Sequence, residues 1–494
     1  MRRAITRDLA ASMLRHLTSV IAGLFTVGLI ARHLGVESLA AWALLGSVGA
    51  LFGLADAGIA TPIYRAGGVA DHARVRSVVS LALLAVLAVA PLVALLAATL
   101  LLDLPGASAG TARDLARAAP LAIGSGILQA LTSPFSALVL VRGAFPTLTF
   151  ARIVAAVLQL GCIAIGMAIS PSLVAPALGL FLGSLAQLAL VIAKARQLDP
   201  EVPLWPRLRF NLGEVVSIAR EGAASLAIGA ATTAGLRLDV YLLAHAAPVE
   251  VVAAYGIASR AVDQCYVLAK QGSVALVPRL GEKRSRERAV VLGAALLGGL
   301  VAAGMPALAL DGGALLRAWA GPAAIAPAAA LALLLLGSAA VLAALGEMPA
   351  NALSFGGPNP WQAALPIISG AALNVIVSVV GASHFTVVAV AGGTVLGNAL
   401  TAILLWRRAN KVFGWPADRP LRAVAPAAAA AVAAIACGLA LGPLAARSPL
   451  ASLLACAATL VTGALAALAV ASRTVPGAAG AEVGLATTAS PEAT

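Results

Sequence analysis

The chain of 494 residues is 61% hydrophobic and 11% charged, carries a net charge of +13 and has a mean hydropathy of +0.98. A soluble domain is about half apolar and about a quarter charged, so these values exclude a soluble enzyme, a disordered chain and a secreted disulfide scaffold. They leave an all-α polytopic membrane protein, because the apolar runs are continuous over about 20 residues or more, whereas barrel strands would alternate polar and apolar residues.

The N-terminus is basic (Arg2, Arg3, Arg7), but Arg15 and His16 interrupt the apolar run that follows, and that run continues to about Leu34. A cleavable signal has a core of about 7–15 residues and a small-residue cleavage site, so the segment is read as a retained first span. Charges, Gly and Pro separate fourteen apolar segments, at 9–34, 37–63, 76–102, 115–141, 146–169, 172–193, 221–244, 249–278, 289–310, 322–345, 361–382, 385–406, 422–444 and 449–471. An even count puts both termini on one side. With the N-terminus inside, the inner segments hold 24 basic residues and the outer ones 6, which by the positive-inside rule makes both termini cytoplasmic. The positive charge is therefore a topology signal and not a sign of nucleic-acid binding.

The chain repeats itself. Residues 7–45 laid on 220–258 without a gap give eleven identities in 39 positions, against a chance level of roughly 10–15% in an Ala/Leu-rich chain. Ala10-Ala11-Ser12 meets Ala223-Ala224-Ser225, Val36-Glu37 meets Val249-Glu250, and Ala40-Ala41-Trp42 meets Ala253-Ala254-Tyr255. Six spans precede the second copy, so the two halves are expected to be related by an axis along the membrane normal, with a central cleft between them. The expected organisation is a six-helix bundle over 1–195, a basic cytoplasmic linker or interfacial helix over 196–220, a second six-helix bundle over 221–408, two further spans over 421–472, and a disordered cytoplasmic tail over 473–494.

No phosphate loop, HExxH or GxSxG motif is present, outer loops are short, and Cys162, Cys265, Cys437 and Cys456 all lie in apolar runs without metal spacing. The chain is read as a non-enzyme without cofactor or metal centre. The informative residues are ionisable groups within spans, which a bilayer makes costly. Spans 7 and 8 form a hairpin that brings Arg237 level with Asp263 and Asp239 level with Arg260. These pairs either lock two helices together or face the cleft, where an arginine would take an anionic group with its planar fork. Arg15 and Arg152, each about two turns into a span, and Lys270 either snorkel to the interface or line the inner mouth of the cleft. Asp56, near Pro62 and Arg65, brackets the end of span 2. Glu347, at the inner end of span 10, either takes a coupling ion or proton or caps a helix. Gln129, Gln159, Gln187 and Asn374 are read first as polar glue between helices.

Gly35-Val-Glu-Ser-Leu-Ala-Ala-Trp-Ala-Leu-Leu45, then Asp56-Ala-Gly-Ile59 with Arg65 downstream, resembles the opening of Wzx-type polysaccharide flippases, members of the multidrug/oligosaccharidyl-lipid/polysaccharide (MOP) superfamily. Asn351-Ala-Leu-Ser-Phe-Gly-Gly357 resembles their span 10–11 loop, whereas Gly381-Ala-Ser-His-Phe385 departs from the Gly-rich turn members often carry. The resemblance is plain over about 70 N-terminal residues and beyond them rests on the plan of the spans. It implies a V-shaped, MATE-like pair of bundles with a cationic cavity, in the bacterial inner membrane. The implied activity is flipping of undecaprenyl-diphosphate-linked oligosaccharide for polysaccharide or lipopolysaccharide synthesis. The implied partners are the lipid-linked substrate, membrane lipid, a coupling proton or sodium ion, and a polymerase and glycosyltransferases. The alternatives are a cation-coupled multidrug exporter, a peptidoglycan lipid flippase, whose characteristic opening motif is missing, and a non-transporting scaffold for synthases.

Overall fold

The structure is a computed structural model that describes residues 2–52, 63, 72–101, 107–142, 144–206, 212–274, 280, 283–321 and 326–474. Asp56 lies outside the described residues, as do the side chains of Arg15, His16, Arg237 and Lys270. Everything regular in the described residues is helical. Ala and Leu have high helix propensity, and a bilayer requires each span to bond its own backbone.

Within the described residues each apolar segment of the sequence is met by a helix. In chain order these are α1 (Arg2–His33), α2 (Gly35–Leu51), α3 (His72–Leu101), α4 (Ala109–Val141), α5 (Phe145–Ile169), α6 (Val174–Leu198), α7 (Leu212–Ala246), α8 (Val249–Val274), α9 (Lys283–Pro306), a short α10 (Gly313–Ala320), α11 (Pro327–Asn351), α12 (Trp361–Phe385), α13 (Val387–Phe413), α14 (Arg419–Ala445) and α15 (Pro449–Thr474). Among the described residues ten helices are long and apolar enough to cross a membrane, and shorter apolar stretches lie in α1, α2 and α7. The chain is a multi-pass membrane protein. Gly321 and Gly414 follow α10 and α13 with φ of +76° and +70°, left-handed values that glycine adopts without steric cost at a helix end.

Two π turns continue α9 and α11, over Ala307–Asp311 and Ala352–Gly356. Each follows a proline closely, Pro306 and Pro349. A proline has no N–H to donate and its ring crowds the carbonyl four residues back, so the ladder loosens where it stands. Both turns sit beside a carboxylate, Asp311 in the first and Glu347 just ahead of the second.

The chain divides into two compact units that cut across helices. The first comprises 1–264, 319–332 and 367–397. Here α5 and α6 meet backbone to backbone, because a Cβ at Gly179 or Gly183 would lie 2.7 Å from the carbonyl oxygen of Gln159 or Ala155. Val75, Val78 and Val79 of α3, Phe135 and Leu138 of α4 and Val191 of α6 form a core. Beside it, Arg76 Nη2 meets the buried Asp199 Oδ1 at 2.9 Å. Glu37, at the α1–α2 turn, accepts bonds from Ser108 Oγ (2.6 Å) and Thr111 Oγ1 (2.9 Å), tying that turn to the start of α4.

The second unit comprises 265–318, 333–366 and 398–494. Its C-terminal pair is amphipathic in size rather than polarity. α15 buries Ser452, Ala455, Thr459, Gly463, Ala467 and Ala471, spaced three or four apart on one face. Leu450, Leu454 and Leu465 on the other face are exposed, as lipid contact requires. The small stripe brings backbones together: a Cβ at Gly463 would lie 2.5 Å from Cβ of Ala303 and 3.0 Å from the Ala430 carbonyl oxygen.

Candidate functional site

The first unit builds a buried cage of oxygens on four helices. Asp239 of α7, 2% exposed, accepts on Oδ2 from the hydroxyls of Tyr255 (2.8 Å) and Thr394 (2.7 Å). Thr394 Oγ1 also lies 3.5 Å from Asn374 Oδ1 and 3.3 Å from the Val390 carbonyl oxygen. Ser378 Oγ lies 3.0 Å from that same Asn374 Oδ1 and 3.4 Å from that same Val390 carbonyl. Glycine makes the approach possible. A Cβ at Gly393 would stand 2.7 Å from Ser378 Oγ and 2.8 Å from Asn374 Oδ1, so α13 must be bare where α12 presents its polar groups. The donor set has several neutral oxygens and one carboxylate, without sulfur or imidazole. Hard oxygen donors suit a hard cation, and a single carboxylate balances a single charge. Among the described residues no cluster of three His, Cys, Asp or Glu side chains offers a transition-metal site.

The hairpin of α7 and α8 differs in level from the sequence reading. The turn falls at 247–248, since α7 ends at Ala246 and α8 starts at Val249. Asp239 is therefore level with Tyr255 and Gly256, and Arg260 lies about one turn further along α8. Five residues also rotate the helix by about 140°, so Tyr255 and Arg260 cannot both face Asp239. The expected Asp239–Arg260 pair is thus replaced by two hydroxyls. The side chain of Arg237, expected opposite Asp263, lies outside the described residues.

Arg260 instead lies against α2. A Cβ at Gly46 would collide with Arg260 Nη2, so glycine at that position makes room for the guanidinium. One turn earlier a Cβ at Gly256 would lie 2.7 Å from Cβ of Ala43. α2 therefore meets α8 through Ala43 opposite Gly256 and through Gly46 beside the Arg260 guanidinium.

Arg152 sits in a polar cradle on α5. Its Nε donates to Ser19 Oγ of α1 at 2.8 Å, and its Nη1 to Gln187 Oε1 of α6 at 3.3 Å. Seven residues on, Gln159 Nε2 meets Thr26 Oγ1 at 3.4 Å. Ser19 and Thr26 are themselves seven apart, so α1 and α5 carry a two-rung polar ladder on matching faces. Gln129 bonds Ser125 (3.2 Å) and Ser184 (3.3 Å), the gluing role expected of a span glutamine.

In the second unit Glu347 accepts from Tyr266 Oη at 2.9 Å and lies 3.5 Å from Asn351 Nδ2. Sequence reasoning singled out Asp239 and Glu347 but missed both tyrosines. Tyr255 and Tyr266 are eleven residues apart, about three turns, and so share a face of α8. That spacing is the signal that was available.

No family model matches the chain, and no curated protein matches it. Solved structures do. A lipid II flippase MurJ in an inward closed conformation is 14% identical, with a TM-score of 0.65, over 94% of this chain and 98% of that one. A Vibrio cholerae MATE transporter, VcmN, is 16% identical with a TM-score of 0.61, over 84% and 98%. A multidrug resistance MATE family transporter of the MOP superfamily, in an outward-facing conformation, is 18% identical with a TM-score of 0.61, over 83% and 95%. The fold is that shared by these transporters and the flippase. A match over 94% of the chain takes in part of the C-terminal pair, because the residues before Arg419 make up less than that share.

Proposed function

We propose that the protein is a cation-coupled transporter that flips undecaprenyl-diphosphate-linked oligosaccharide from the inner to the outer leaflet of the bacterial cytoplasmic membrane, with both termini cytoplasmic. The observation that carries the reading is the separation of charge types. Asp239 lies in an oxygen cage fit for a sodium ion or proton, whereas Arg152 and Arg260 are held elsewhere by a hydroxyl, an amide and a bare glycine. A carrier that couples movement of a diphosphate headgroup to the downhill movement of a cation needs both. Arg suits the diphosphate because its planar fork makes paired bonds. The glycan occupies an aqueous cleft, the lipid tail stays in the bilayer, and no covalent bond is broken. A polysaccharide polymerase and glycosyltransferases are the partners such a step serves.

The direct test is deletion in a strain without a redundant flippase. Lipid-linked glycan should accumulate on the inner leaflet, and its failure to do so would sink the proposal. A peptidoglycan lipid flippase is the second reading, favoured by the length of the MurJ match. It predicts arrest of wall synthesis in the same strain. A drug exporter predicts neither outcome, and a scaffold predicts that Arg152→Ala and Arg260→Ala leave the phenotype unchanged.

A further inference from the structure

Asp311 lies outside every site described so far, and its surroundings point to a ligand. α9 loosens into the π turn after Pro306, and the chain breaks at Gly312. A helix that ends this way presents carbonyl oxygens and the negative end of its dipole. Asp311 is the last residue of the turn and is 1% exposed. α14 approaches through Gly438, where a Cβ would lie 3.4 Å from Asp311 Oδ2. α15 brings Ser452, Cys456 and Thr459 on one face. Thr459 Oγ1 donates to Asp311 Oδ2 at 2.6 Å, Ser452 Oγ donates to the Asp311 carbonyl, and Cys456 Sγ lies 3.2 Å from the Ala307 carbonyl oxygen. The second carboxylate oxygen, Oδ1, is buried and has no hydrogen-bond partner among the described residues.

A buried carboxylate oxygen without a donor is costly in a protein interior and more so within a bilayer. Asp311 stands between two helix ends: the negative end of α9 raises that cost, and the start of α10 at Gly313 offsets part of it. A bound cation would give the unpartnered oxygen a counter-charge. We infer that Asp311 anchors a small monovalent cation of the sodium class, with the hydroxyl oxygens of Ser452 and Thr459 and the carbonyls of the loosened turn as neutral ligands. Both hydroxyls spend their proton on Asp311; Ser452 Oγ also accepts from the Leu315 amide at 3.3 Å, and each hydroxyl keeps a lone pair for the ion. Loosened carbonyls at the C-terminal end of a membrane helix are suited to this ion. The site is separate from the Asp239 cage and does not depend on the transport reading. Its occupancy clamps α14 and α15 to the end of α9.

The test is thermal melting of the purified full chain in detergent, with sodium chloride titrated against choline chloride at constant ionic strength. Sodium should still raise the melting midpoint of Asp239→Asn, and adding Asp311→Asn should abolish that rise. A midpoint of Asp239→Asn that ignores sodium, or a rise that survives in the double variant, overturns the inference. If Asp311→Asn does not give a monodisperse protein, Thr459→Val in the Asp239→Asn background decides the matter. It should shift the half-saturating sodium concentration upward, and an unchanged value overturns the site.

Discussion

Ala43 of α2 and Gly256 of α8 occupy equivalent positions in the two copies of the internal repeat, and they pack against each other, with a Cβ at Gly256 standing 2.7 Å from that of Ala43. Elements related by a two-fold axis meet their own equivalents only beside that axis. Such a contact is what the proposed two-fold relation of the halves, about an axis along the membrane normal, would produce. The pair is also asymmetric in size, since two alanines would not fit. Gly256→Ala should lower stability by about 1–3 kcal/mol, the usual range for overpacking, read as a lower melting midpoint in detergent. Ala43→Gly added to it should recover most of the loss. A double variant no more stable than Gly256→Ala alone would show that the two side chains do not oppose each other.

The Asp239 cage makes a prediction about ion dependence. Tyr255→Phe leaves Asp239 Oδ2 with the Thr394 hydroxyl alone, and loss of one donor to a buried group costs about 1–3 kcal/mol. Asp239→Asn keeps the shape and removes the charge. Transport by Asp239→Asn should lose its dependence on the cation gradient while substrate binding persists, whereas Tyr255→Phe should retain the dependence with a raised half-saturating ion concentration. Flipping measured in proteoliposomes with and without an imposed sodium or proton gradient separates the two. An undiminished gradient response in Asp239→Asn would remove this cage from the coupling scheme.

The helices were legible because a bilayer leaves a single signal, continuous apolarity, and within the described residues each segment read from it is met by a helix. The carboxylates Asp239 and Glu347 were legible because charge within a span is conspicuous. Their partners were not, since Tyr255 and Tyr266 read as ordinary apolar residues until the level of the hairpin is known, and an error of one turn exchanged Tyr255 for Arg260. Asp311 escaped notice for another reason. It falls one residue past the apolar segment 289–310, where an acid passes for a loop residue, and only the π turn after Pro306 carries it into the packed interior. Asn374 reads as helix glue by type, and it became part of the cage because Gly393 brings α13 to it.

Arg152 and Arg260 should behave differently from the arginines that orient the chain. Arg152→Ala loses bonds to Ser19 and Gln187, each worth about 0.5–1.5 kcal/mol net, so the protein should still reach the membrane. Flipping should fall much further than yield. Arg152→Lys keeps the charge but not the fork, and should restore yield fully and transport only in part. For Arg260→Ala the comparison is between transport and yield. Intact transport with poor yield would assign that arginine to packing against α2 instead of substrate binding.

The Arg76–Asp199 pair supplies a pH dependence with a definite sign. Asp199 is buried beside Arg76, whose Nη2 lies 2.9 Å from Oδ1 and whose Nε lies 3.1 Å from both carboxylate oxygens. Burial pushes the carboxyl up, but the hydrogen bonds and charge of Arg76, aided by the Glu201 amide and the charge of Arg142, hold it below its usual value of 3.8. Between the native value and 3.8 the unfolded chain binds a proton that the folded chain does not. The stabilisation is therefore complete above the unfolded value and is lost as pH falls through the native one. The wild-type melting midpoint should drop on acidification below about pH 4, a regime set by the unfolded carboxylate. Asp199→Asn should start lower at neutral pH and drop less. Arg76→Gln should also start lower, and because it leaves the buried carboxylate without its counter-charge, its loss of midpoint should begin at a higher pH than in the wild type. Parallel acid profiles for all three proteins would show that the pair contributes nothing to stability.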